Sequence, residues 1–246
     1  MAKSSGLGDR LYVHGYDLSG DVGSIQSIAS PRPTLNKTGI NSSANERIIA
    51  HGNGLLEFAA HFNDANDQMH EALSSLPTTD RKVMYCRGAT AGNPMAALTA
   101  KQVNYDGNRS VDGDLQFSVQ CMSQGVPLEW GKQVTAGKVT HASATSSTSI
   151  DENGATGSSA QGGVGFIQVF SIGSGTPTFV LEDSTDNSVW ATLISFGADA
   201  AQSGDRITVT GNVDRYLRAT TTGTFTDAAF AMGFRRGTAA DDESLA

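Results

Sequence analysis

The chain has 246 residues, 38% hydrophobic and 17% charged, which suits one large β domain or two ordinary ones and excludes wholesale disorder. Seventeen basic against 25 acidic residues leave a net charge of −8, which argues against a broad basic patch that clings to phosphate backbones. No stretch approaches the ~20 apolar residues of a membrane span, and MAKSSGLGDR lacks the apolar centre of a secretory leader, so no membrane partner is expected.

Residues Arg10 to Val22 open with a short strand and a turn around Asp17 and Gly20. The apolar patch Ile25 to Ile28 stops at Pro31–Arg32–Pro33, where two prolines force extended backbone and remove donors. From Asn36 to Asn53 the chain is polar and rich in Gly, Ser and Asn, with Ile48 and Ile49 its only adjacent bulky pair. A loop that long in a compact domain is usually functional, so Asn36, Asn41, Ser42, Asn45, Arg47, Ile48 and Ile49 are its candidate contact residues.

Gly54 to Phe62 reads as a strand. Asn63–Asp64 then supply a cap, and Ala65, Met69, Ala72, Leu73 and Leu76 share one face, which predicts the chain's single helix over 64–76, stopped by Pro77. Strands resume at Lys82–Cys86 and Ala96–Tyr105, followed by the acidic turn Asp106 to Asp114. Leu115, Phe117, Val119 and Cys121 alternate with Gln116, Ser118 and Gln120, a strand with one buried face. Val126 to Trp130 completes a first unit, residues 1–134.

Between 135 and 165 the chain is Ser/Gly/Thr-rich and reads as a flexible linker or a draped arm. A second all-β block, 166–236, follows with turn residues every 8–12 positions, the cadence of a β-sandwich or jelly roll. Residues 237–246 read as a solvated acidic tail.

Chemistry is hard to find. Gly88 to Gly92 lacks the spacing and lysine of a phosphate cradle, and no G-x-S-x-G elbow occurs. The five histidines are scattered, the run Glu182 to Ser188 lacks EF-hand spacing, and Cys86 and Cys121 read as reduced core thiols. The expectation is no enzyme, no cofactor and no metal. Trp190 and Tyr216 are candidate sugar-facing aromatics, although each lies in a strand-like run that favours packing.

The order of elements, from GYDLSGDV through the double proline, long loop, single helix and KVMYCRG to DGDLQFSVQCMSQGVPLEWG, resembles tail tube (major tail) proteins of long-tailed bacteriophages over residues 8–134. The second block, with Val189 to Leu193, Asp205–Arg206 and Val213 to Arg218 before Thr222 to Phe225, is similar to β-domains appended to actinophage tail proteins. The resemblance implies a mainly β fold: a two-sheet β-barrel with one flanking helix, then a β-sandwich. It also implies a virion tail protein made in the host cytoplasm and stacked as hexameric rings. Its partners would be itself, the tape measure, terminator and distal tail proteins, and DNA in transit. A head decoration or tail completion subunit, or a carbohydrate-binding module on the virion, are the alternatives. Ring formation needs edge strands that pair between copies, and stacking needs a protruding element, for which 36–53 is the candidate.

Overall fold

Alternating residues from Leu115 to Ser123 form a strand at the centre of the N-terminal half, with Val119 and Cys121 buried and Ser118 facing out. Around it the computed structural model describes residues 5–197 and 200–238, and the acidic tail expected from 237 lies outside them from 239 on.

The strands of the first half are β1 (Arg10–Val13), β2 (Tyr16–Asp17), β3 (Val22–Ala29), β4 (Thr34–Asn36), β5 (Arg47–Ile49) and β6 (Leu55–His61). After helix α1 (Met69–Leu73) come β7 (Arg81–Cys86), β8 (Pro94–Gln102), β9 (Asp106–Arg109), β10 (Leu115–Ser123) and β11 (Glu129–Gln133). The second half adds β12 (Val139–His141), β13 (Thr145–Ser146), β14 (Ile150–Asp151), β15 (Gly163–Gly175) and β16 (Thr178–Ser184). It ends with β17 (Ala191–Gly197), β18 (Ser203–Val209), β19 (Tyr216–Thr222) and β20 (Phe225–Arg236).

The fold is mainly β, as expected, but no sheet among the described residues closes into a barrel. Thirteen strands form one branched sheet with the main path β18-β15-β20-β11-β8-β10-β6-β3. The margin a barrel would need for closure is taken: β11 pairs with β8 on one side and, through Lys132 and Gln133, with Phe234 and Gly233 of β20 on the other. Gly131 permits that crossing, because a Cβ there would lie 2.3 Å from the Phe234 carbonyl oxygen. A second sheet, β13-β19-β16-β17 with β14 on β19, packs over β15 and β20. Phe179, Leu181 and Leu217 of one layer meet Ile167, Phe230 and Met232 of the other, which is the expected sandwich. A further cluster of Tyr12, Met84, Met95, Val164, Phe166 and Ala231 joins the two halves.

Two local expectations change. The helix is only Met69–Leu73: Asn63 turns back to accept a bond from the Ala65 amide, and Asp67 takes φ +61°, so the helix starts later. Its first amide is held from a distance by buried Asp21, which accepts from Met69 N at 3.1 Å and from Asn63 Nδ2 at 2.8 Å. The stretch 135–165 is not bare linker. It lays β12 on β20 and then β13 and β14 on β19, burying Thr135, His141, Ile150 and Glu152. Its small polar side chains satisfy backbone ladders with few bulky anchors, a pattern that composition reads as disorder.

Candidate assembly surfaces

All seven loop candidates fall on one β-hairpin. β4 and β5 pair only with each other, Thr34 opposite Ile49 and Asn36 opposite Arg47, and all six strand residues are exposed. Two backbone bonds fasten its base, from Ala50 N to the Pro33 oxygen (2.8 Å) and from Asn53 N to the Pro31 oxygen (3.0 Å). The tip is shaped by short-range bonds: Asn36 Oδ1 accepts from Thr38 N at 2.9 Å, and Ser42 Oγ donates to Glu46 Oε1 at 2.8 Å. Asn41 and Asn45 are exposed beside Ser42. Leu35, Ile40, Ile48 and Ile49 stand in solvent, Ile48 least at 46%. An isolated hairpin gains little from its own contacts, and these four aliphatic side chains leave apolar surface in solvent. Leu35 and Ile40 were not singled out in the sequence, because each is a lone apolar residue among polar ones.

The branched sheet offers two outer margins. Among the described residues no strand pairs with the far side of β3 or of β18. Register shifts at Val22/Ser24 and Ile25/Ser27 kink β3, which blunts it against indiscriminate pairing, whereas β18 runs in unbroken register against β15.

The two aromatic candidates are separate from the hairpin. Trp190 lies just before β17 with the Arg218 guanidinium 4.2 Å from its ring centre, and Tyr216 begins β19 with Arg215 at 4.8 Å. Each ring therefore already has a cation over one face. Trp130 on β11 is 51% exposed and is the barer ring.

Titratable groups serve the fold. No group of three or more His, Cys, Asp or Glu suited to a metal occurs among the described residues. Burial raises both thiols, Cys121 to about 12, so neither is a ready nucleophile. A cleft of about 270 Å³ contains Asp9, Arg10, Tyr85 and Arg87, but the Tyr85 hydroxyl and the Gly88 amide already donate to Asp9. His14 follows β1 with φ +49° and a buried Nδ1 that has no hydrogen-bond partner. Burial, with the cations Arg81 and Lys82 nearby, holds His14 down at about 4. Burial also lowers His141, whose ring nitrogens face Thr221 Oγ1 at 2.8 Å and Ser147 Oγ at 3.2 Å.

Both folded-state values lie below the unfolded one, so the unfolded chain takes up protons first and stability falls with pH. For His14 the window runs from about 6.5 down to about 4. The urea midpoint should accordingly be lower at pH 5 than at pH 7. The His14→Gln/His141→Gln double variant should flatten that dependence; an unchanged slope removes these histidines as its cause.

No protein-family model and no curated protein matches the chain. Among solved structures it is similar to the Dit protein of phage SPP1, described as a paradigm of the hub adsorption apparatus in phages that infect Gram-positive hosts. That likeness has 9% identity and a TM-score of 0.36, over 94% of this chain and 99% of that one. It is also similar to chains of the activated phage p2 baseplate with strontium (7%, TM-score 0.36) and with calcium (10%, TM-score 0.32), each over 94% of this chain and 99% of the other.

Proposed function

We propose that this chain is a structural, non-enzymatic subunit of the tail of a long-tailed bacteriophage, polymerising as stacked rings into the tube through which DNA passes. The observation that carries the reading is the β4–β5 hairpin, whose strands pair only with each other among the described residues and leave Leu35, Ile40, Ile48 and Ile49 exposed. The unpaired outer sides of β18 and β3 supply lateral contacts of unlike kind, and a head-to-tail interface of that sort closes into a ring when its rotation allows. The order of elements over 8–134 adds the resemblance to tube proteins. A net charge of −8 suits a channel that must not grip phosphate.

Negative-stain images of the overexpressed chain test this. Tubes are expected; single rings that never stack would move the protein to a tail end or completion role, and a monodisperse monomer at high concentration would end the reading. Deleting Asn41–Asn45, five tip residues outside β4 and β5, should leave the circular dichroism and melting temperature unchanged while abolishing tubes. Normal tubes from that deletion would remove the hairpin's role.

A further inference from the structure

Strand β6 has two unlike ends. At Leu55 it lies opposite Ala29, where β3 gives way to the hairpin segment. At His61 it runs into Phe62, whose amide donates to the Leu115 oxygen at 3.0 Å. The two ends are about 20 Å apart at ~3.3 Å per residue. The chain thus leaves for the hairpin and returns from it at one end of β6, and the other end presents a different surface.

That other surface is aromatic. Phe62 lies 5.0 Å from His70 and 5.9 Å from Phe117, and Tyr105 stacks on Phe117 at 4.2 Å. Phe62 is 38% exposed, and the other three rings are half-buried. Gly107, opposite Phe117 in the β9–β10 pairing, leaves room for the ring, since a Cβ there would sit 2.8 Å from it. Phe62 just after β6, His70 of α1, Tyr105 just before β9 and Phe117 of β10 gather into one tilted aromatic cluster, a surface on which branched aliphatic side chains pack well.

The charges around the two ends are opposite. Residues 61–74 and 104–118 carry six acids (Asp64, Asp67, Glu71, Asp106, Asp112, Asp114) against one base, Arg109. Residues 31–51 carry three bases (Arg32, Lys37, Arg47) against one acid, Glu46. Apolar character is matched and charge is complementary, on one molecule, at opposite ends of one strand.

We infer that the β4–β5 hairpin of one copy seats on the aromatic face of Phe62, His70, Tyr105 and Phe117 of the next copy. This rests on the self-assembly proposed above and names the receiving surface. The donor and acceptor surfaces differ and lie toward opposite ends of β6, so the contact is heterologous and repeats as an open stack instead of closing as a symmetric dimer.

The test uses two full-length variants. Ile48→Asp/Ile49→Asp spoils the donor, and Phe62→Asp spoils the acceptor, with Phe62→Ala and circular dichroism confirming that position 62 tolerates change. Each variant alone should stop at the unstacked species in analytical ultracentrifugation. An equimolar mixture still contains one intact donor and one intact acceptor, so it should yield a species of twice that mass. If wild type stacks but the mixture shows no doubling, or if Phe62→Asp stacks as wild type does, the aromatic face is not the acceptor and self-assembly stands without it. If wild type shows no self-association, the proposed function fails first and this pairing with it.

Discussion

Replacing Arg206 by alanine should cost about 3–5 kcal/mol of folding stability, since it leaves a buried carboxylate without its partner. Arg206 Nε and Nη2 donate to the two oxygens of Glu129 at 2.7 and 3.0 Å, a bidentate pair in which the Glu129 side chain is only 1% exposed. Glu129 belongs to β11 and Arg206 to the margin strand β18, so the pair also links the two halves of the chain. A urea titration followed by tryptophan fluorescence should show the loss as a lowered midpoint. The double variant Glu129→Met/Arg206→Met, with no charge left to bury, should recover most of it. A single variant as stable as wild type would show that water reaches Glu129 in solution.

An effect of similar size, about 3–5 kcal/mol, is expected for Arg236→Ala. One guanidinium serves four acceptors: Glu152 Oε2 at 2.5 Å, Val213 O at 2.7 Å, Asp214 O at 2.6 Å and Ser159 Oγ at 3.0 Å. Glu152 is 7% exposed, and its backbone oxygen also accepts from Lys132 Nζ. Without Arg236, both the carboxylate and the chain around 150–160 lose their fastening. The sharper readout is limited proteolysis. Wild type should resist cleavage between 142 and 162, and Arg236→Ala should be cut there first. Rapid cleavage of wild type in that interval would mean the strands β13 and β14 open readily in solution.

How much of this was legible in the sequence depended on the range of the forces involved. Strands whose apolar residues alternate cleanly, such as β10, or lie between obvious turns, such as β6, were found nearly to the residue, because the period-two pattern is local. The helix was overextended because its start is set by Asp21, 48 positions away from Met69 in the chain. Residues 135–165 were read as linker because β12 to β14 are held by backbone pairing to β19 and β20, which small polar side chains do not announce. Barrel closure was expected from resemblance, while the pairing of Lys132 and Gln133 with Phe234 and Gly233 joins residues about a hundred positions apart. Of the candidate surfaces, the segment 36–53 was singled out from its length and polarity, as a loop and not as the paired hairpin it forms. The four aromatic rings at the far end of β6 were not, since Phe62, His70, Tyr105 and Phe117 share no spacing and meet only in three dimensions.

The ladder that runs unbroken from β3 to β18 has a mechanical consequence. Among the described residues the front strands and the rear sandwich are joined by backbone pairing and not by a bare tether. If copies stack as proposed, whatever the sandwich's outer layer displays would recur at one fixed azimuth and height on every copy, a regular lattice of identical facets and not a fringe of loosely hung ornaments.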